Sequence, residues 1–191
     1  MQATDIIDLI RNRRSVYPKS YVPDAVIERE TLEALLDSAR WAPTHRRTEP
    51  WRFQVFHSEQ SRRSLSAYLS DFFEKNTAPD LFTEEKKQKA GESPLRAGAV
   101  VAIVMQRDPD MRIPEFEEIA SVAMAVQNMW LHCSAIGLGA YWSTPKAMLD
   151  ANDFLSLDAG QRCLGLFYVS HHNMPPLPGT REPLDNKVRW L

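Results

Sequence analysis

The stretch AGAVVAIVM, residues 97–105, decides the fold because it is the longest apolar run in the chain. Alanine and valine in an uninterrupted run indicate a β-strand that is covered on both faces. The run is about half as long as a membrane-spanning helix, so we expect no membrane segment. The segment from Pro114 to Ile136 follows, with acidic residues in its first turn and apolar residues around more than one stripe. This pattern predicts a central helix that starts with Pro114 at its first position and ends at Gly137.

Weaker patterns on both sides complete the fold prediction. Apolar spacing and alternation predict helices over residues 4–13, 32–39 and 65–73 and strands over residues 51–55, 138–143 and 163–170. The polar segment 75–94 indicates a solvated helix or a mobile excursion, and Thr144-Pro145 indicates the N-cap and first residue of another helix. Because strands and helices alternate irregularly, we expect one α+β domain over residues 1–191, a sandwich with a mixed sheet.

Composition argues against several classes of protein. The 23 basic and 25 acidic residues give a net charge of −2, which argues against general nucleic-acid binding. The first residues lack a basic segment followed by an apolar one, so we expect no secretory signal and a cytoplasmic location. Cys133 and Cys163 lie in apolar runs, and we expect two buried thiols in a reducing compartment. The sequence contains neither a Gly-x-Gly-x-x-Gly fingerprint nor a P-loop.

Candidate binding residues occur in the first fifty positions. Arg13-Arg14-Ser15 follows the first predicted helix, and two guanidiniums beside a hydroxyl can bind a phosphate. The alternative is that the arginines only complement the negative end of the helix dipole. His45 follows Ala42-Pro43-Thr44, a turn that could present its ring over a flat ligand, although a lone loop histidine is also common on a surface.

Two later segments are also compatible with a flat, anionic ligand. Gly137-Leu138-Gly139 precedes an aromatic strand that continues through Trp142, Ser143 and Thr144. Glycines let the backbone approach a planar ring closely, and a helix N-terminus after the strand can stabilise negative charge. The same pattern also fits a plain helix–strand turn. Arg181 stands in a proline-bounded loop, where it is either a ligand for an anion or a surface charge.

Other chemistries are not supported by the sequence. The adjacent His171 and His172 would point to opposite faces of a strand, so we predict no metal site. The chain has no Gly-x-Ser-x-Gly segment, and a cysteine within an apolar helix is a poor nucleophile. A hydrolase is therefore not expected.

The order of the motifs is more informative than any one of them. The chain contains Arg13-Arg14-Ser15, Ala-Arg-x-Ala-Pro and then Pro-Trp-x-Phe, Gln127-Asn128 on the apolar helix, Gly-Leu-Gly before a strand, and Arg-x-Pro-Leu near the end. In this order the chain resembles the nitroreductase family of FMN-dependent oxidoreductases, in particular its small, minimal branch. The resemblance extends from Ile6 to Trp190.

The resemblance implies both an architecture and an assembly. The fold would be a three-layer sandwich in which helices flank a mixed sheet. The protein would be a homodimer with two FMN sites at the subunit interface, and the C-terminal segment of each chain would reach the partner subunit.

The resemblance also assigns residues to the FMN site: Arg13, Arg14, Ser15, His45, Trp142, Ser143, Thr144 and Arg181. Arg13 and Arg181 would hold the phosphate, and Arg14 with Ser15 would lie beside the polar edge of the flavin. His45 would come from the partner subunit. The strand segment 142–144 would pass alongside the ring system and supply backbone contacts. Residues 134–139 match the place where the minimal branch accommodates the nicotinamide nucleotide.

The implied activity is a ping-pong cycle, in which NAD(P)H reduces the flavin and leaves before a nitroaromatic, quinone or similar acceptor takes the electrons. Solvent can supply protons in an open site, so no catalytic side chain is implied. A flavoprotein with a dedicated substrate, of dehalogenase or dehydrogenase type, and a non-catalytic FMN-binding protein are the alternatives. No ribose-reading acid or 2′-phosphate site identifies NADH or NADPH as the donor.

Three positions depart from the family pattern. Arg47 and Glu49 stand where an asparagine and a glutamine are often found, and Trp41 stands where the minimal branch can carry an arginine. A carboxylate beside the flavin would oppose negative charge on reduction. We therefore expect Glu49 either to point away from the flavin or to make it harder to reduce, with consequences for substrate range.

Overall fold

The computed structural model describes residues 3–191, and these residues form one sheet of four strands. The strands are β1 Trp51–Phe56, β2 Ala99–Gln106, β3 Gly139–Ser143 and β4 Gln161–Ser170. The helices are α1 Ala3–Asn12, α2 Arg29–Ala39, α3 Glu59–Asn76, α4 Glu84–Arg96, α5 Glu115–Ala135 and α6 Lys146–Leu149. Short 3-10 turns occur at Pro18–Ser20, His45–Arg47 and Leu184–Asn186.

The α+β sandwich is confirmed, whereas the sheet of the described residues is antiparallel rather than mixed. Its order is β1-β2-β4-β3, and all three pairings are antiparallel. The hairpin of α3 and α4 returns the chain to the end of the sheet where β1 finished, so β2 runs antiparallel beside β1. Helix α5 then carries the chain to β3, which runs in the same direction as β2. Strand β4 pairs with both and separates them, so no parallel neighbours arise.

Side chains of β2 alternate between two packed faces. One face packs with α2 and α5 and comprises Ala99, Val101, Ile103 and Met105. The other packs with α3 and α6 and comprises Val100, Ala102 and Val104. Every side chain from Ala99 to Met105 is buried, as the apolar run predicted. The result is three layers, with helices on both faces of the sheet.

Two further expectations are met by the described residues. The polar segment 75–94 forms much of α4, a helix that packs on α3. Cys133 and Cys163 are buried and unpaired, and burial raises the pKa of Cys133 to about 12. None of the helices in the described range is long and apolar enough to cross a membrane.

Helix α5 has one buried face and one exposed face. The sequence predicts Pro114 as the first helical residue, but Pro114 is the N-cap and helical geometry begins one residue later, at Glu115. The buried face includes Val122, Val126, Met129 and Cys133. The opposite face carries Phe116, Ala120, Met124 and Gln127, all exposed and spaced by three or four residues. Helix α1 packs on α5 and adds exposed Ile6, Ile7 and Ile10. We call the six apolar residues of this set, which are all of them except Gln127, the apolar stripe.

A buried ion network fixes the loop between β2 and α5. The carboxylate of Glu118 is fully buried and accepts hydrogen bonds from the Asp108 backbone N–H, at 2.8 Å, and from the Arg107 guanidinium. The carboxylate of Asp108 accepts from Arg112 through Nη2 at 2.8 Å and Nε at 2.9 Å. The Arg112 guanidinium and backbone N–H lower the pKa of Asp108 from 3.8 to about 2. The folded chain therefore favours ionised Asp108.

This depressed pKa predicts an acid-dependent contribution to stability. Asp108 binds its proton less tightly in the folded chain than in the unfolded chain, so its contribution is complete above pH 3.8 and is lost as the pH falls through about 2. We expect Asp108→Asn to lower the free energy of urea unfolding at pH 7, and the gap to the unaltered protein to close between pH 4 and pH 2. Asp110→Asn, at an exposed neighbour 3.8 Å from Arg112 Nε, is the control and should leave the pH profile unchanged. A gap that does not vary with pH would contradict this assignment.

Candidate functional site

The site is centred on Arg13, which the end of α1 delivers to the surface of α5. The Arg13 backbone N–H donates to the Leu9 carbonyl at 3.0 Å and so extends the last turn of α1. The guanidinium carbon lies 4.5 Å from the centroid of the Trp130 ring. Trp130 in turn meets Phe167 of β4 edge to face, with centroids 5.6 Å apart. The Arg13 guanidinium is therefore held over an aromatic ring that the core has fixed.

One nitrogen of this guanidinium lacks a partner. Arg13 Nη1 is buried and makes no hydrogen bond with the described residues. Burial lowers the pKa of Arg13, and the nearby charges of Arg181 and Arg14 lower it further. Within residues 4–191, no carboxylate lies within 4.0 Å of the guanidinium of Arg13, Arg14 or Arg181. Three guanidiniums without a carboxylate partner make this part of the surface electropositive and suited to binding an anion.

An open cleft of about 620 Å³ lies above this group. It is lined by Ile10, Arg11, Asn12, Arg13, Arg14, Gln127, Pro178, Gly179 and Arg181. Helix α1, helix α5 and the C-terminal tail therefore meet at one place, although they are far apart in sequence. Arg13, Arg14 and Arg181 are all predicted site residues, and the structure brings the three together at this cleft.

Arg14 has a different environment from Arg13. Its Nη1 donates to the carbonyls of Arg11, at 2.6 Å, and Arg13, at 2.8 Å, and its Nε donates to the Leu177 carbonyl at 3.0 Å. A side chain at Gly179 would collide with the same guanidinium. Arg14 thus fastens the C-terminal tail to the end of α1, and this tail carries Arg181.

A second cleft of about 280 Å³ adjoins the first. Its lining includes Ser134, Gly137 and Leu138, from the segment that the resemblance connects with the nicotinamide nucleotide. It shares Asn12 and Arg14 with the arginine cleft. The helix–strand turn at the end of α5 is therefore beside the arginines.

Ser15 is half-buried between the arginines and strand β3. The backbone N–H of Val16 donates to the Ala140 carbonyl at 3.0 Å and joins this segment to the free edge of β3. A Cβ at Gly139 would lie 2.8 Å from Val16 Cγ1, which is too close for any side chain. Glycine at 139 is what allows the segment to reach β3.

Strand β3 ends in the aromatic segment that the sequence analysis selected. The Trp142 Nε1–H donates to the Leu164 carbonyl at 3.2 Å, and its ring packs on the α5 side of the sheet. Ser143 lines a separate cleft on the other side, with Tyr17 and Tyr141. A side chain at Gly165 would collide with the Ser143 carbonyl. The φ of Gly165 is +128°, a value that residues with a side chain rarely adopt. Gly165 therefore shapes the path of residues 142–144.

Thr144 is exposed, and the expectation that it caps a helix is wrong. The N-cap of α6 is Pro145, and no side chain caps that position. Pro145 has an extended backbone, so helical geometry starts one residue later than the sequence pattern suggested.

His45 lies at the other end of α5. Its Nδ1 is 2.6 Å from Glu117 Oε2 in the first turn of that helix. Thirteen positions separate Glu117 from Trp130, which corresponds to about 20 Å along the helix axis. Within one chain, His45 and Arg13 are therefore at opposite ends of α5 and do not meet.

The loop around His45 carries the three departures from the family pattern. Arg46, Arg47 and Glu49 all have positive φ, and the Thr44 hydroxyl accepts from the Glu49 backbone N–H at 3.2 Å. The Trp41 side chain is 73% exposed, with the Arg40 guanidinium 5.7 Å from its ring. Glu49 is exposed as well.

Sequence reasoning missed the parts played by Trp130 and Glu117. Trp130 was recognised only as an apolar residue of the central helix, and Glu117 only as an acid that complements the helix dipole. Gln127, one turn before Trp130, was the available signal for the cleft. No cluster of three or more potential metal ligands occurs within the described range.

Comparison with known proteins identifies the family. A sequence model of the nitroreductase family matches residues 10–171. The chain belongs to the nitroreductase family. Among its relatives is the "Putative NAD(P)H nitroreductase YfhC" of Bacillus subtilis, which is 30% identical over 184 residues. The alignment covers 94% of this chain and 91% of that nitroreductase relative.

Solved structures of the nitroreductase family have the same fold. A nitroreductase-like family protein from Bacillus cereus superposes with a TM-score of 0.78 at 26% identity, covering 100% of this chain and 98% of that one. A putative nitroreductase from Desulfovibrio desulfuricans, solved in complex with FMN, gives a TM-score of 0.74 at 22% identity. That alignment covers 98% of this chain and 96% of the other.

Two glycines provide a matched test of how the aromatic segment is held. Gly165→Ala adds a collision with the Ser143 carbonyl to an unfavourable φ, and should lower the free energy of unfolding by about 3–4 kcal/mol. Gly137 also has a positive φ, +76°, but an added Cβ would have no neighbour within 4 Å. Gly137→Ala should therefore lower the free energy of unfolding by only about 1 kcal/mol. Urea unfolding measures both. Equal losses would show that the close contact at Gly165 carries no energetic weight.

Proposed function

We propose that this protein is an FMN-dependent oxidoreductase that transfers electrons from NAD(P)H to a nitroaromatic, a quinone or a similar small acceptor. The observation that carries the proposal is the buried, unpartnered Nη1 of Arg13 in a cleft of uncompensated arginines. Two comparisons support it. The Bacillus subtilis relative is named "Putative NAD(P)H nitroreductase YfhC", and the Desulfovibrio desulfuricans structure contains FMN.

The arginine cleft fits the phosphate of FMN. Arginine binds phosphate oxygens through a planar fork of N–H donors, and a dianion would satisfy both Arg13 and Arg181. The orphaned Arg13 Nη1 would gain the acceptor that the protein does not provide. Arg14 would hold the tail that carries Arg181 through its hydrogen bond to the Leu177 carbonyl, and Arg14 and Ser15 would lie beside the polar edge of the flavin.

The ring system of FMN would lie along the end of β3. Trp142 is fixed by its hydrogen bond to the Leu164 carbonyl, and Thr144 is exposed just beyond the end of the strand. Bound FMN supplies the capacity to accept two electrons from a nicotinamide and release them to a second substrate, which fits a ping-pong cycle. The protein residues bind and orient these partners, and we assign proton transfer to none of them.

A second copy of the chain would complete each site. The apolar stripe on α5 and α1 is exposed in the single chain, and its Ala120 would allow close approach of a neighbouring helix. Glu117 lies seven residues before Met124 and Trp130 lies six residues after it, so the two residues are nearly equidistant from Met124 of the apolar stripe. A two-fold dimer with antiparallel α5 helices would set the His45 end of one chain level with the Arg13 end of the other. The C-terminal tail, with Trp190 89% exposed, would also gain cover from the partner.

Anaerobic titration with NADH and with NADPH tests the proposed activity. The purified protein should be yellow, and its flavin absorbance should bleach rapidly with at least one nucleotide and return when an acceptor is added. A flavin that stays oxidised would support the two alternatives, an enzyme with a dedicated substrate or a non-catalytic FMN-binding protein. A protein that binds no FMN would exclude all three.

The phosphate role of Arg13 predicts a specific loss of affinity. Charge-assisted hydrogen bonds contribute about 1.5–3 kcal/mol each, so Arg13→Ala should weaken FMN binding by roughly 10- to 100-fold. Arg29→Ala, at an exposed arginine paired with Glu33 on α2, is the control and should change the affinity less than about twofold. Flavin fluorescence measures both values. Equal affinities for the two variants would remove Arg13 from the site.

Shared sites predict complementation between inactive variants. In each site, Arg13→Ala should damage the part that one subunit supplies, and a bulky His45→Trp should damage the part that the partner subunit supplies. Each variant homodimer should therefore be inactive. A heterodimer would contain one doubly damaged site and one intact site, and should recover at most about half of the unaltered activity. Activity is assayed after subunit exchange, with heterodimers verified by differently tagged chains. No recovery in folded heterodimers would contradict the shared site.

A further inference from the structure

We infer that Glu117 is a positioning residue that determines which ring nitrogen of His45 faces the cofactor site of the partner subunit. The part of this inference that concerns the cofactor rests on the proposed function. The pairing itself is a feature of this chain, because His45 Nδ1 lies 2.6 Å from Glu117 Oε2.

Glu117 is the fixed member of this pair. Its backbone N–H donates to the Pro114 carbonyl at 3.1 Å, and its carbonyl accepts from the Ser121 hydroxyl at 2.9 Å. Its side chain is 30% exposed, against 57% for His45. His45 instead stands on a short 3-10 turn whose interior includes the left-handed Arg46. The helix therefore holds the carboxylate, and the carboxylate orients the imidazole.

The pairing has a defined consequence for the imidazole ring. An ionised carboxylate only accepts hydrogen bonds, so Nδ1 of His45 must carry the hydrogen. In the neutral ring Nε2 then has a free lone pair and accepts a hydrogen bond. A flavin ring has one N–H donor on its polar edge, and Nε2 of His45 matches that donor. Without Glu117 the ring could turn over or change tautomer and present a donor instead.

Two other histidines serve as internal references. His57 Nε2 lies 2.7 Å from the Ile27 carbonyl, which can only accept, so His57 carries its hydrogen on Nε2. His172 Nδ1 accepts from the Met174 backbone N–H at 3.1 Å, so His172 also carries its hydrogen on Nε2. In the neutral state, His45 differs from both in its tautomer.

Nitrogen-15 NMR of the full chain tests the pairing without requiring flavin. Long-range proton–nitrogen spectra at pH 9, on protein freed of any bound flavin, should give the Nδ1–H pattern for His45 and the Nε2–H pattern for His57 and His172. Glu117→Gln keeps an acceptor and should preserve the Nδ1–H pattern, whereas Glu117→Ala should convert His45 to Nε2–H. An Nε2–H pattern for His45 in the unaltered protein, or an unchanged pattern in a folded Glu117→Ala variant, would overturn the inference.

FMN affinity then tests the role of the pairing in the site. Glu117→Ala should weaken FMN binding by about two- to tenfold, the value of one hydrogen bond, and Glu117→Gln should weaken it less. The loss should vanish when His45 is already alanine, because Glu117 acts through that ring. A loss of equal size in the His45→Ala background would contradict a positioning role. Failure of all variants to bind FMN would refute the proposed function but leave the NMR result on the pairing intact.

Discussion

The guanidinium of Arg13 is held in place without an anion to neutralise it, and this constraint organises the site around it. Stacking on Trp130 fixes its position, while burial removes water from one of its nitrogens. Arg181 and Arg14 add positive charge instead of compensating for it. Burying a guanidinium nitrogen beside two other cations, with no acceptor for its hydrogens, is electrostatically unfavourable for the protein alone. In the proposed function, the phosphate of FMN supplies the missing hydrogen-bond acceptor for Arg13 Nη1.

Helix α5 connects the position of Arg13 with the proposed dimer. Its buried face forms part of the core, its C-terminal half carries Trp130, and its first turn carries Glu117 with His45. About 20 Å of helix separates Glu117 from Trp130, so no side-chain motion within one chain brings His45 and Arg13 together. The exposed apolar stripe along the same helix offers a surface for a second copy. The shape of one helix thus links the cofactor site to the proposed dimer.

The sequence predicted the parts of the structure that depend on local pattern. The run at 97–105 and the helix after Pro114 were identified because their periodicity and end residues are local signals. Arg13 and Arg181 were selected from their motifs, and the structure places both at one cleft. The antiparallel sheet was not predicted, because the insertion of β4 between β2 and β3 depends on long-range pairing. The contact of His45 with Glu117 joins residues 72 positions apart, and no spacing rule encodes such a pair.

Discrimination between FMN and riboflavin is the sharpest test of phosphate binding by Arg13, because the two ligands differ only in the phosphate. We expect the flavin-free protein to bind FMN at least about 100-fold more tightly than riboflavin, and Arg13→Ala to remove most of this difference. Both affinities can be measured by flavin fluorescence at a single ionic strength. Equal binding of the two flavins by the unaltered protein, or undiminished discrimination by Arg13→Ala, would contradict phosphate binding by Arg13.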